Sequence, residues 1–166
     1  MIELFSRLPD GILFPEDREI VPIPVDEDLS SLSAILMDED YYSLLINERR
    51  VVNNIPVISP AGLICLKMHA WLDLTKRKLN GEPVDFEDIR KHKNDVFRLF
   101  FAVAADDAIV IPLSIQKDVR DFLTAIEAEP WEIKNLGKTI GINMPPAAET
   151  IFQALYKTFG LQLQKY

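Results

Sequence analysis

The stretch Ile58-Ser59-Pro60-Ala61-Gly62-Leu63-Ile64-Cys65-Leu66-Lys67-Met68-His69-Ala70-Trp71-Leu72-Asp73-Leu74 marks the point where the chain passes from short extended pieces to long helices. Ser59 carries the hydroxyl of a good N-cap. Pro60 suits the first helical position, where its missing N–H would have no intrahelical partner anyway. The helix is predicted to run to about Leu79 and to end at Asn80-Gly81, where glycine accommodates a left-handed C-terminal residue.

Downstream the pattern stays helical. Asp85 caps a second helix that reaches about Ala104, with Asp88 in its first turn. Ser114 to Ala128 places Ile115, Val119, Phe122, Leu123 and Ile126 at helical spacing, and Pro130 stops it. Lys134-Asn135-Leu136-Gly137 reads as a connector. A last helix spans about Pro146 to Phe159 and ends at Gly160.

Upstream the reading is extended. Ile2 to Arg7 and Ile12 to Phe14 are strand candidates on either side of the Pro9-Asp10-Gly11 turn. Pro22 and Pro24 restrict Glu19 to Val25 to an edge strand or an extended crossing. Asp38 to Asn47 reads as a short helix with Tyr41, Leu44 and Leu45 on one face. Arg50 to Val52 and Ile55 to Ile58 form a small hairpin about Asn53-Asn54. Strands first and helices after predict an α+β fold: short N-terminal strands, then a bundle of about four helices. The expectation is a single domain over 1–166, strand-rich over 1–58 and helical over 59–166.

The 166 residues suffice for one domain, and 48% hydrophobic content fits a packed core rather than a disordered chain. Cys65 is the single cysteine, so no intrachain disulfide forms, and its apolar surroundings predict a small buried residue. A net charge of −8 argues against general duplex nucleic-acid binding, which rests on neutralising phosphates. No apolar run is long enough to span a bilayer and no export signal is apparent, so the expectation is a cytoplasmic protein without a membrane partner.

Two lysines fall within apolar faces. Lys67 has Leu63, Ile64, Ala70 and Trp71 as helical neighbours, and Lys93 has Ile89, Val96 and Phe97. An ammonium there snorkels to water, or it serves a polar cleft. Two such lysines on consecutive helices suggest a shared anion pocket in which they hold phosphate oxygens as point charges. Asp95, with Lys91, His92 and Arg98 around it, reads either as part of a solvated charge cluster or as an anchor for a neighbouring group. His69, among apolar residues, reads as a packed histidine. Histidine, cysteine and carboxylate spacing matches no structural zinc site. Glu3, on a strand between Ile2 and Leu4, fits either ordinary strand alternation or a sheet-surface metal ligand.

The quoted helix, followed by Lys91-His92-Lys93-Asn94-Asp95-Val96-Phe97-Arg98-Leu99, resembles the helical motifs of AbiEii-type nucleotidyltransferases. The opening Ile2-Glu3-Leu4-Phe5-Ser6-Arg7 is similar to that family's second acidic strand. The resemblance covers roughly Met1 to Phe101. It implies a polymerase-β-like core, here as a remnant of the sheet, and relatedness to the toxins of some toxin–antitoxin pairs. It also implies transfer of a nucleoside monophosphate from a nucleoside triphosphate to an acceptor, with Mg2+ held by carboxylates. Glu3 would be a catalytic, metal-holding carboxylate and Asp95 would support the site. Lys67 and Lys93 would contact the triphosphate or acceptor.

The family's first motif, a glycine turn followed by paired acidic residues, would lie before Glu3. Asn94 stands where the family has arginine, and Arg98 where it has a second aspartate. The expectation is therefore a truncated member, inactive alone, whose missing motif a separately encoded partner supplies. An antitoxin or a homo-oligomer paired through the N-terminal strand edge is the other expected association. The alternative is a non-catalytic nucleotide- or protein-binding helical module that needs no cofactor.

Overall fold

Ser59 sets the start of the longest helix, and the segments on either side of it follow from that cap. In the computed structural model, which describes residues 4–7, 20–22, 33–104, 107–128 and 146–162, the fold is α+β. The chain divides into two compact units, Met1–Asn47 and Glu48–Tyr166.

The first unit holds strands β1 (Leu4–Arg7), β2 (Ile20–Pro22) and β3 (Ser33–Met37) and helix α1 (Glu39–Asn47). The sheet order is β1-β3-β2, with β1 parallel and β2 antiparallel to β3. β2 lies at an edge, as its proline requires. β3, the central strand, was not anticipated from the sequence. Asp38 caps α1 by accepting from the Tyr41 N–H at 2.8 Å. Tyr41, Leu44 and Leu45 form the buried face of α1, as their spacing predicted. The Ile12 to Phe14 strand candidate and the Lys134 to Gly137 connector lie outside the described residues.

The second unit opens with the hairpin of β4 (Arg49–Val52) and β5 (Ile55–Ile58). Asn53 and Asn54 both adopt positive φ, 51° and 63°, the signature of the two-residue turn that matches strand twist. Among the described residues four helices follow: α2 (Pro60–Leu79), α3 (Phe86–Phe100), α4 (Leu113–Glu127) and α5 (Ala148–Thr158). Gly81 and Gly160, at φ of 85° and 62°, follow the C-terminal ends of α2 and α5. Asp85 caps α3 through the Glu87 N–H at 2.9 Å.

α2 packs against both α3 and α4. Ile64, Met68, Val96, Ile115, Val119, Phe122, Leu123, Ile151 and Leu155 are fully buried and make the core. Phe122 sits edge-on to Trp71 with ring centres 5.1 Å apart, and Phe97 is edge-on to Phe152 at 6.4 Å. The Thr158 carbonyl accepts from the Ile109 N–H at 2.9 Å, tying the segment before α4 to the end of α5. No helix among the described residues is long and apolar enough to cross a membrane.

Candidate functional site

Two polar seams run along α2. The first faces α3. Lys67 lies among the apolar residues of its helix, with Ile64 buried one turn before it. Its ammonium reaches Asp95 of α3, Nζ to Oδ2, at 3.7 Å, and the two side chains are 27% and 21% exposed. The other oxygen of Asp95 accepts from Arg98 at 3.1 Å, one turn further along α3. Two cations therefore share one carboxylate. A separation of 3.7 Å is an ion pair but too long for a hydrogen bond, so the Lys67 donors are left for other acceptors.

His92 lies one turn before Asp95 and is half-buried. Its Nδ1 is buried without a hydrogen-bond partner among the described residues. Burial lowers its pKa first, and the Lys67 charge lowers it further against the opposing pull of Asp95. Thr75 Oγ1, two turns past Lys67 on α2, is likewise buried with no hydrogen-bond partner among the described residues.

Of the residues picked out in the sequence, the structure brings Lys67 and Asp95 together. Lys93 is half-buried on α3, two residues from Asp95 and so about 200° around the helix from it. Glu3 lies outside the described residues. Among the described residues no group of three histidine, cysteine, aspartate or glutamate side chains is arranged to hold a metal ion. The described residues alone do not make a magnesium site.

The second seam faces the hairpin and α4. The Ser59 hydroxyl accepts from the Gly62 N–H at 3.0 Å and donates to the Glu48 carboxylate. The Ser59 N–H also donates to the Glu48 carbonyl at 2.9 Å. Gly62 permits this approach, because a Cβ there would come within 2.9 Å of both Glu48 Cβ and Ile58 Cγ2. One turn past buried Cys65, His69 Nδ1 lies 2.8 Å from Asp118 Oδ2 of α4. Burial pushes the Cys65 thiol well above its ordinary pKa, and Glu48 adds to the effect, so it is no nucleophile.

The sequence reading missed the His69–Asp118 pair. The two residues are 49 positions apart, and only the packing of α2 on α4 joins them. His92 was passed over because its special feature, an orphaned ring nitrogen, has no signature in local spacing.

No family model matches the chain, and neither a curated protein nor a solved structure matches it.

Proposed function

We propose that the chain is a nucleotidyltransferase-like protein whose α2–α3 seam binds the phosphates of a nucleoside triphosphate, with Lys67 as the principal contact. The observation that supports this reading is the Lys67–Asp95 pair at 3.7 Å, with Arg98 on the same carboxylate. In the family resemblance, the capped helix supplies a lysine and the following charged stretch an aspartate. A half-buried ammonium that shares its counter-ion has donors and charge available for anionic oxygens.

In this reading Asp95 orients Lys67, and Lys93 is a second phosphate contact from α3. Glu3 is the carboxylate that would hold Mg2+. Transfer of a nucleoside monophosphate needs several carboxylates around the metal ions, so Glu3 by itself does not make that site. Binding by this chain alone does not require them. The second reading, a non-catalytic nucleotide-binding module, keeps the same Lys67 contact and needs no metal.

Thermal unfolding with nucleoside triphosphates, with and without magnesium, tests this in wild type and Lys67→Ala. The expected result is a stabilising shift in wild type that Lys67→Ala abolishes and that depends weakly on magnesium. A shift independent of magnesium favours the binding module. The absence of a shift with every triphosphate would sink both readings and leave a helical interaction domain whose lysine only reaches for water.

A further inference from the structure

The hairpin of β4 and β5 makes a two-stranded sheet of its own. In such a ladder every second residue turns its N–H and C=O toward the facing strand. The Ser59 N–H donates to the Glu48 carbonyl at 2.9 Å, which sets the phase: Glu48, Arg50 and Val52 face Ser59, Val57 and Ile55. The two-residue turn at Asn53-Asn54 gives the same phase, because the residues that flank it bond to each other. Arg49 and Val51 on β4, and Pro56 and Ile58 on β5, therefore turn their backbone groups outward.

The two outer edges differ. Pro56 has no N–H, so the edge of β5 cannot complete a further ladder. The edge of β4 keeps the outward N–H and C=O of both Arg49 and Val51, and among the described residues no other strand pairs with it. The contacts of Ser59 with Glu48 and Gly62 hold the hairpin on α2, so this edge is ordered before anything binds. Val51 and Val52 are 65% and 53% exposed, beside the exposed Arg49 and Arg50. Arg50 has Asp107 at 3.6 Å, whereas Arg49 has no carboxylate at ion-pair distance among the described residues. A second copy suits this edge poorly. The two-fold pairing of β4 with itself that uses both Arg49 and Val51 sets Arg50 directly against Arg50, and like charges so placed are destabilising.

The geometry points to a docking site: the outer edge of β4 takes an extended, acidic segment of another protein as a third strand. Run antiparallel, that segment reads apolar, apolar, acidic, acidic opposite Val52, Val51, Arg50 and Arg49. Backbone bonds to Arg49 and Val51 give the affinity, and the facing side chains select the charge. This site is independent of the triphosphate reading of the α2–α3 seam.

The test is titration of the capped peptide Thr-Thr-Val-Val-Glu-Glu-Thr-Thr into the isotopically labelled protein, followed by backbone amide shifts, beside a peptide with lysine in place of glutamate. The expected result is a saturable change at Arg49 to Val52 with the glutamate peptide, and binding of the lysine peptide weaker by about fivefold or more. Val51→Pro, which removes an outward N–H and leaves the inner ladder intact, abolishes the response. Arg49→Glu combined with Arg50→Glu reverses the preference between the peptides, a readout that stands whether or not the proline variant folds. No saturable change in wild type, an equal response to both peptides, or changes centred on Ile55 to Ile58 overturns the proposal. Concentration-dependent change at Arg49 to Val52 without peptide would put a second copy on this edge and overturn it as well.

Discussion

The two seams of α2 are built from similar side chains and held differently. Toward the hairpin and α4, polar groups meet at hydrogen-bond distance: the Ser59 N–H with the Glu48 carbonyl at 2.9 Å, and His69 with Asp118 at 2.8 Å. Toward α3, Lys67 and Asp95 stand 3.7 Å apart, Arg98 shares the carboxylate, and His92 Nδ1 has no partner among the described residues. The tight seam uses its polar groups to fix one element on another. The loose seam leaves donors and charge available, and a half-buried charge with a loosely placed partner is suited to a ligand.

The largest expected effect concerns Cys65, which is fully buried at the tight seam. Its reaction with a thiol reagent should be slower in the folded protein than in urea by about a thousandfold or more, because reaction waits on opening. Fast labelling in the absence of denaturant would show that the tight seam opens readily. Next, Gly62→Ala should lower stability by about 1–3 kcal/mol in urea unfolding, since its Cβ would collide with Glu48 and Ile58. An unchanged midpoint would mean that the hairpin is not clamped to α2 as described.

Double-mutant cycles compare the seams directly. Alanine substitutions at His69 and Asp118 should couple by about 1 kcal/mol, a value that allows for their partial exposure. Those at Lys67 and Asp95 should couple by less than about 0.5 kcal/mol. Equal coupling would make the α3-facing pair another structural tie.

The smallest effect is a dependence of stability on pH. The pKa of His92 is lowered in the folded chain, so the unfolded chain binds more protons below its own value of about 6.5. The contribution from His92 is therefore fully present above about pH 6.5 and is lost as pH falls through the lowered folded value. His92→Gln should show a shallower loss of stability on acidification than wild type. Identical slopes would remove His92 from the account.

Much of this architecture was legible because local chemistry dictated it. Ser59-Pro60 and Asp85 announced helix starts, Asn53-Asn54 a hairpin turn, and Pro22 and Pro24 an edge strand or an extended crossing, of which the edge strand is found. The five apolar positions of α4 gave its buried face, and all five are buried. β3 was not legible: Ser33-Ala34-Ile35-Leu36-Met37 shows no alternation, and alanine, leucine and methionine favour helices. Its extended form comes from pairing on both sides, a tertiary effect. The end of α3 was placed about four residues late, because Phe101 and Ala102 continue a helical composition after the helix ends at Phe100. In the site, Lys67 was visible as a charge within an apolar face. Its meeting with Asp95 depends on how α2 and α3 pack, and the orphaned nitrogen of His92 depends on where the ring edge lies.

The central claim is that the loose seam binds phosphate. Its most direct measurement is the set of backbone amide chemical-shift changes that ATP induces in the isotopically labelled protein. The account predicts changes clustered around Lys67, His92 and Asp95, absent in Lys67→Met, with His69 and Asp118 undisturbed. Changes centred on His69 and Asp118, or no saturable change at all, would contradict it.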